Sequence, residues 1–234
     1  MLELNKLSYS SGDFFAEYTF NISKSGIYAL VGESGSGKST LINLMGGFLK
    51  VSSGSIFFDD ENLLNLSPSD RPVSSLFQNY NNFDHLTIFQ NIILGIDPSM
   101  QSSIQNQTIV SNVMDKLSLK MDMSKFVSEL SGGEQQRISL ARCWLRNKNL
   151  LLLDEPFNAL DPGLRKDLFA QLIKMHQFNN SQITIISSHF LDELLGFIDG
   201  IIFISNGSVL NNKILQFSDI ENNYEFKKYF LGNS

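Results

Sequence analysis

The stretch Gly32-Glu33-Ser34-Gly35-Ser36-Gly37-Lys38-Ser39 decides the fold of this chain. It fits the pattern G-x-x-x-x-G-K-[ST], a glycine-rich turn that holds phosphate groups between a strand and a helix. Gly35 and Gly37 permit backbone angles that turn successive N–H groups toward one anion. A helix that follows directs its partial positive charge at the same point. The stretch therefore predicts a phosphate-binding loop.

Three side chains at the end of the loop have separate expected roles. Lys38 is expected to reach the β- and γ-phosphates of a nucleotide, and the Ser39 hydroxyl to ligate Mg²⁺. Thr40 can add a contact to the α-phosphate. The alternative is a Gly/Ser-rich turn with a surface lysine. The strand and helix patterns on the two sides of the loop argue against that alternative.

The residues around the loop alternate between strand-like and helical patterns, which is typical of an α/β sheet. Ile27 to Val31 is predicted as a buried strand and residues 38–48 as a helix. The first twenty residues are predicted to form an antiparallel hairpin. Further strands are predicted at residues 55–58, 73–77, 150–153, 183–187 and 201–204.

Between residues 88 and 148 apolar residues recur at helical spacing instead, as at Ile109, Val113 and Leu117. The prediction is one domain over residues 1–234. Its α/β core comprises residues 1–87 and 149–234, and a helical subdomain of about residues 88–148 is inserted into it.

Composition limits the class of protein. The 24 acidic residues exceed the 18 basic ones and give a formal net charge of −6, which argues against a general nucleic-acid binder. Cys143 is the single cysteine, so an internal disulfide is impossible and a reducing compartment is expected. The N-terminus lacks a secretory pattern, and no apolar run approaches the ~20 residues of a spanning helix. We expect a soluble, cytoplasmic chain.

A second motif follows a buried strand, where Leu150-Leu151-Leu152-Leu153 ends in Asp154 and Glu155. A parallel strand brings its carboxyl end to the edge of the sheet where ligands bind. We expect Asp154 to hold Mg²⁺ through water, and Glu155 to orient and deprotonate an attacking water. The alternative of two solvated acids at a strand end is less favourable beside a phosphate-binding loop.

A third motif, Leu130-Ser131-Gly132-Gly133-Glu134-Gln135-Gln136-Arg137, resembles the LSGGQ signature of ABC ATPases, which other families with this loop lack. The resemblance covers nearly the whole chain and implies an ATP- and Mg²⁺-dependent ATPase with the P-loop NTPase fold. It also implies a homodimer of two head-to-tail chains. In that arrangement Ser131, Gly132 and Gly133 close over the γ-phosphate held by the opposite chain.

The resemblance assigns roles to further residues in chain order. Gln78 matches a glutamine that touches Mg²⁺ or the water, and His189 matches a histidine that contacts the γ-phosphate. Asn158 to Asp161 matches the D-loop, with Asn158 where serine is usual. The family stacks adenine on an aromatic residue near the N-terminus, where this chain has Ser10 or Ser11. Tyr9 is the nearest candidate.

The segments 71–78, 82–87 and 91–95 resemble bacterial importers, and more narrowly the ATP-binding subunits of thiamine importers. The resemblance implies integral membrane permease subunits, a periplasmic binding protein that selects the solute, and a location on the cytoplasmic face of the inner membrane. The candidates for contact with the permease are Phe83, His85, Leu86 and Asn91. The alternative is that some of them belong to the core of the helical subdomain. His176 is interpreted as an ordinary histidine on a polar helix face.

Other functions remain open or are disfavoured. The alternative within transport is an importer for another small solute, such as a polyamine, an anion or a metal. A DNA-repair or chromosome ABC ATPase would interrupt the core with a long heptad coiled coil, which the sequence lacks. A translation-type ABC protein usually carries two nucleotide domains. A kinase or GTPase is disfavoured by the signature and by the lack of a guanine-reading N-K-x-D.

Overall fold

The structure is a computed structural model that describes residues 1–77, 82–158, 160–178, 182–189 and 191–216. Within these ranges ten strands form one curled sheet in the order β5-β4-β1-β2-β10-β9-β3-β8-β7-β6. The strands are β1 (Leu2–Ser11), β2 (Phe14–Ile22), β3 (Gly26–Val31), β4 (Ser53–Phe58), β5 (Glu61–Asn62), β6 (Val73–Leu76), β7 (Leu150–Asp154), β8 (Ile183–Ser187), β9 (Gly200–Ser205) and β10 (Ser208–Val209).

The sheet has an antiparallel part and a parallel part. β1 pairs with β2 and β4 in antiparallel register, which confirms the predicted N-terminal hairpin. β3 lies between β8 and β9, and β7 lies between β6 and β8, all in parallel register. β3 precedes the phosphate-binding loop, and β7 ends at the two acidic residues. The carboxyl ends of both strands therefore lie at the same edge of the sheet.

Alternate residues of the parallel strands face two separate cores. Leu150 and Leu152 of β7 pack with the antiparallel strands and with helix α1 (Lys38–Gly46). Leu151 and Leu153 pack on the opposite face with the other helices. Because both faces are covered, these strands are continuous apolar runs and not alternating ones.

Helix α1 ends two residues before its predicted end at residue 48. Gly47 follows it in the left-handed conformation at φ +82°, and its N–H donates to the carbonyls of Asn43 and Leu44. Glycine adopts this conformation without a steric penalty, so it closes the helix.

Three helices lie in the stretch that the sequence predicts as helical: α2 (Ile88–Ile93), α3 (Ile104–Lys116) and α4 (Gly132–Arg146). Thr87 and Gln90 cap α2 reciprocally, with the backbone N–H of each donating to the side chain of the other. The other α-helices among the described residues are α5 (Pro162–Phe178) and α6 (Leu191–Leu194). Within the described ranges, none of the helices combines the length and apolar character needed to cross a bilayer.

Candidate functional site

The glycine-rich loop joins β3 to α1 at the carboxyl edge of the sheet. Gly35 and Gly37 have φ of +78° and +109°, in the region where glycine is favoured. At Gly37 a Cβ atom would lie only 2.5 Å from the Tyr18 hydroxyl oxygen. That hydroxyl donates a 2.8 Å hydrogen bond to the Gly37 carbonyl, and burial raises the pKa of Tyr18 above its ordinary value. The β2 strand thus fixes the loop at the start of α1.

The Lys38 side chain is buried and folds back over the loop. Its ammonium donates to the carbonyls of Gly32 at 2.8 Å and Glu33 at 2.9 Å. Burial lowers the pKa of Lys38, and the charges of Glu155 and Asp154 oppose that shift. The loop therefore holds a buried cation with the two carboxylates nearby, at a point where an anion would offset its desolvation.

Asp154 ends β7 with only 3 % of its surface exposed. Its Oδ1 accepts a 2.6 Å hydrogen bond from the hydroxyl of Ser187, at the end of the neighbouring strand β8. The same hydroxyl accepts a 2.8 Å hydrogen bond from the backbone N–H of Glu155. Sequence reasoning missed Ser187. The available signal was a serine that ends an otherwise buried strand beside the strand carrying the acids.

Glu155 turns out of the strand at φ +50° and presents its carboxylate toward the loop. Its Oε1 lies 2.8 Å from Nε2 of His189, and its Oε2 accepts a hydrogen bond from the Asn158 amide. The Glu155 side chain is 11 % exposed and that of His189 is 38 % exposed. Two residues that follow different strands are thus brought together.

Two cavities border the phosphate-binding loop. One of about 290 Å³ is lined by residues that include Lys38, Ser39, Thr40 and Glu155. The other, of about 570 Å³, extends along the loop to β9 and to the segment around Gly207. The predicted loop residues therefore face open space large enough for phosphates and an attached group.

Phe14 lines both cavities, whereas Tyr9 lines neither. Tyr9 pairs with Ala16 across the hairpin, and its ring centroid lies 6.5 Å from that of Phe14. The structure thus places Phe14, and not Tyr9, at the border of both cavities, so it gives no support to the expectation that Tyr9 stacks on adenine. Phe14 opens β2, and the hairpin turn carries it over the P-loop.

The signature residues stand apart from both cavities, since neither cavity is lined by Ser131, Gly132 or Gly133. Gly132 and Gly133 form the first turn of α4. The Ser131 hydroxyl and N–H donate to Oε2 of Glu134 at 2.7 and 2.9 Å, and these bonds lower the pKa of Glu134. In this chain the serine is thus engaged in capping its own helix.

The two remaining predicted site residues are Asp161 and Gln78. Asp161 is exposed and lines neither cavity. Its Oδ1 accepts a 3.0 Å hydrogen bond from the N–H of Leu164 in the first turn of α5. Gln78 lies outside the described residues, as does Ala159 of the D-loop.

The candidates for permease contact are divided by burial. Phe83 and His85 are exposed and their rings meet edge to face at 6.2 Å. Leu86 is half-buried. Asn91 is fully buried, and its amide donates to the carbonyls of Phe83, Leu86 and Thr87 at 3.0 to 3.2 Å. Asn91 therefore fits the alternative of a core residue, because its buried amide binds three carbonyls of the preceding loop.

His176 is half-buried on helix α5. Its Nδ1 lies 2.9 Å from the hydroxyl of Thr184, a fully buried residue of β8. Burial lowers the pKa of His176, with a smaller opposing effect from the charge of Asp199. The helix face that carries His176 therefore packs on the sheet.

Comparisons of this chain with family models and with known proteins agree on one family. A family model described as ABC transporter matches residues 15–158. A second model, described as an AAA domain, matches the shorter stretch 127–195. The Thiamine import ATP-binding protein ThiQ of Vibrio cholerae serotype O1 is 37 % identical over 209 residues, covering 89 % of this chain and 87 % of that protein. The protein of the same name from Histophilus somni is 40 % identical over 215 residues, covering 92 % and 99 %.

Solved structures share the fold. A nucleotide-free ATP-binding cassette from an ABC transporter matches with a TM-score of 0.80 and 21 % identity over 98 % of both chains. A dimeric cassette in a post-hydrolysis state, bound to ADP and Pi, matches with a TM-score of 0.77 and 24 % identity. That match covers 89 % of this chain and 96 % of the other.

Proposed function

The chain belongs to the ABC transporter family, and on that premise we propose that it is the ATP-hydrolysing subunit of a bacterial importer for thiamine and its phosphates. The observation that carries the ATPase activity is the meeting of Lys38, Asp154 and Glu155 at one edge of the sheet. The observation that supports the solute is the similarity to relatives named as thiamine import subunits, at 37 and 40 % identity over about nine-tenths of the chain.

ATP is the nucleotide that the loop holds in this proposal. The loop amides and the N-terminus of α1 bind the phosphate oxygens, and Lys38 moves its hydrogen bonds from the loop carbonyls to the phosphates. Glu155 accepts a proton from the attacking water, and His189 orients the Glu155 carboxylate and contacts the γ-phosphate. Gln78 assists at the water or the cation.

The oxygen donors at the site fit Mg²⁺. Ser39 offers an exposed hydroxyl in the small cavity, and Asp154 offers a buried carboxylate with one oxygen engaged by Ser187. Hard cations such as Mg²⁺ prefer these ligands together with phosphate oxygens. No group of three acidic, histidine or cysteine side chains suited to a metal occurs among the described residues. When bound, Mg²⁺ neutralises charge on the phosphates.

Phe14 is our candidate for stacking with the adenine ring. It lines both cavities beside the loop, and a ring face at that position can pack against any base. Tyr9 supports Phe14 from behind. This assignment replaces a direct role for Tyr9.

The active unit in this proposal is a head-to-tail homodimer. Ser131, Gly132 and Gly133 line neither of the two cavities beside the phosphate-binding loop of their own chain, which supports a role at the nucleotide of the partner chain. The Asp161 segment lies at the same interface. Binding of the γ-phosphate would draw the Ser131 hydroxyl from Glu134 toward the anion.

Coupling to the membrane uses the exposed side chains Phe83 and His85, with Leu86 beside them, as contacts for the permease. These residues adjoin the proposed helical subdomain of about residues 88–148, which is inserted into the core formed by 1–87 and 149–234. The chain would sit on the cytoplasmic face of the inner membrane through the permease, and a periplasmic binding protein would select the solute. The chain itself would never contact thiamine.

ATP hydrolysis in proteoliposomes tests the proposal. The importer, purified with whichever permease accompanies this chain, is supplied with binding protein and either thiamine, a polyamine, an inorganic anion or a divalent metal. We expect thiamine to stimulate hydrolysis and the other solutes to leave it at the basal rate. Stimulation by another solute alone would replace thiamine as the cargo, and absence of any hydrolysis would contradict the ATPase function.

A further inference from the structure

Ser187 is a buried hydroxyl that joins the two acidic residues of the site. It ends β8, where the parallel register places it directly opposite Asp154 of β7, and none of its surface is exposed. Its Oγ donates to Asp154 Oδ1 at 2.6 Å and accepts from the backbone N–H of Glu155 at 2.8 Å. One side chain therefore holds a carboxylate and the peptide that follows it.

The hydrogen-bond pattern fixes the direction of the serine proton. A hydroxyl has a single proton, and Glu155 N–H can only donate, so the proton must point at Asp154. The bond to Asp154 is short, as expected for a donor facing an ionised carboxylate. With Oδ1 engaged in this way, Oδ2 is the oxygen that we expect to face a cation.

The second hydrogen bond stabilises an uncommon backbone conformation. Glu155 has φ of +50°, which residues other than glycine, asparagine and aspartate seldom adopt. This turn removes the Glu155 N–H from the regular strand and directs its side chain toward His189. Strained positions persist when their surroundings hold them, and the Ser187 oxygen is such a partner.

We propose that Ser187 is a positioning residue that sets both the affinity for Mg²⁺ at Asp154 and the rate of hydrolysis at Glu155. The proposal rests on the proposed function, since it assumes that these two acids serve an ATPase. It differs from a purely structural role for the hydroxyl in one respect. Loss of the hydroxyl should change the dependence on Mg²⁺ as well as the stability of the chain.

Ser74 provides a matched control within the same sheet. It is a buried serine of β6, on the other side of β7, where it pairs with Leu151. Its hydroxyl has no hydrogen-bond partner among the described residues. Ser74→Ala therefore removes the same atom from the same kind of strand without touching either acid.

The experiment compares Ser187→Ala, Ser187→Cys and Ser74→Ala in the full chain. The Cys variant keeps nearly the size of serine with a weak hydrogen-bonding group, and it serves if the Ala variant does not fold. Binding of a fluorescent ATP analogue is titrated with Mg²⁺, and the rate of hydrolysis is measured in the assembled importer. We expect the Ser187 variants to need about tenfold more Mg²⁺ and to hydrolyse ATP about tenfold more slowly, and Ser74→Ala to match the wild type. Binding without Mg²⁺ should not change.

The two readouts separate this proposal from the proposed function. If the wild type binds the analogue but hydrolyses no ATP, the ATPase function fails, and the Mg²⁺ titration still decides the role of Ser187. If the Ser187 variants and Ser74→Ala show the same Mg²⁺ dependence and the same rate, the positioning role is wrong. A loss of stability alone in the Ser187 variants would equally contradict it.

Discussion

Oε1 of Glu155 lies 2.8 Å from Nε2 of His189, although the two residues are 34 positions apart in the chain. The second carboxylate oxygen of Glu155 accepts a hydrogen bond from the Asn158 amide. The carboxylate is thus held on both sides beside the cavity that Lys38 and Ser39 line. A general base fixed in this way needs little reorganisation before it accepts a proton.

The two partners of Glu155 should contribute unequally to hydrolysis. We expect His189→Ala to lower the rate about 10²-fold, because His189 adjoins both the carboxylate and the proposed γ-phosphate position. Asn158→Ala should lower it only several-fold, since it removes one contact at an exposed position. Steady-state hydrolysis at saturating ATP measures both effects, with exposed Asn5→Ala as control. Equal losses in the two variants would contradict the assignment.

Glu155→Gln should trap ATP between two chains. The amide keeps the size of the side chain but cannot accept the proton, so we expect hydrolysis to fall by about 10² to 10⁴-fold while ATP remains bound. Light scattering after gel filtration with ATP and Mg²⁺ should then give the mass of a dimer, and exposed Glu61→Gln should behave as wild type. Adding Gly132→Asp, where a Cβ would meet nothing within 4 Å of its own chain, should return the trapped variant to a monomer, because a carboxylate would face the partner's phosphate. A dimer that persists in the double variant would exclude the head-to-tail arrangement.

Phe14→Ala should weaken ATP binding. Stacking on an aromatic side chain contributes about 1–3 kcal/mol per base, which corresponds to about 5- to 150-fold in Kd. Phe14→Tyr keeps a ring and should keep most of the affinity, and Tyr9→Ala should cost less than Phe14→Ala because Tyr9 lines neither cavity. Calorimetric titration with ATP measures the series. The assignment fails if Tyr9→Ala is the more damaging change.

The stability of the chain should fall below neutral pH in a way that depends on His176. Burial lowers the pKa of this imidazole in the folded state. As the pH drops through about 6.5, His176 binds a proton in the unfolded chain but not yet in the folded chain. The free energy of unfolding therefore decreases until the pH passes the lower pKa of the folded state.

Urea unfolding between pH 8 and pH 5 checks this prediction. His176→Gln carries no titrating group at the position, so its loss of stability toward acid should be smaller than that of the wild type. Gln177→Ala, an exposed change on the same helix, should keep the wild-type slope. If the free energy of unfolding falls with pH by the same amount in the wild type and in His176→Gln, this imidazole does not contribute to the acid sensitivity of the chain.

The sequence predicts those parts of the fold that depend on local patterns. Apolar runs such as Leu150 to Leu153 predict buried parallel strands, and the spacing of Gly35, Gly37 and Lys38 predicts the turn between β3 and α1. These features are fixed by neighbouring residues. The resemblance to ABC ATPases adds the order of the remaining motifs.

Contacts between distant parts of the chain are not predictable in this way. The hydroxyl of Ser187 meets Asp154 only because β8 pairs with β7 in one register, and no pattern within either strand encodes that register. Phe14, and not Tyr9, lies beside the loop, because the start of β2 approaches Gly37 in the folded chain. Asparagine is a polar residue that usually lies at the surface. Asn91 is nevertheless buried, because its amide donates hydrogen bonds to three loop carbonyls.

Uptake of labelled thiamine tests the central claim most directly. Cells that lack this gene are compared after rescue with wild type or with Glu155→Gln, which preserves the chain and removes the base. We predict that deletion lowers uptake, that wild type restores it, and that Glu155→Gln does not. Uptake that is unchanged by the deletion, or restored equally by Glu155→Gln, would contradict the account of this chain as the ATPase that powers thiamine import.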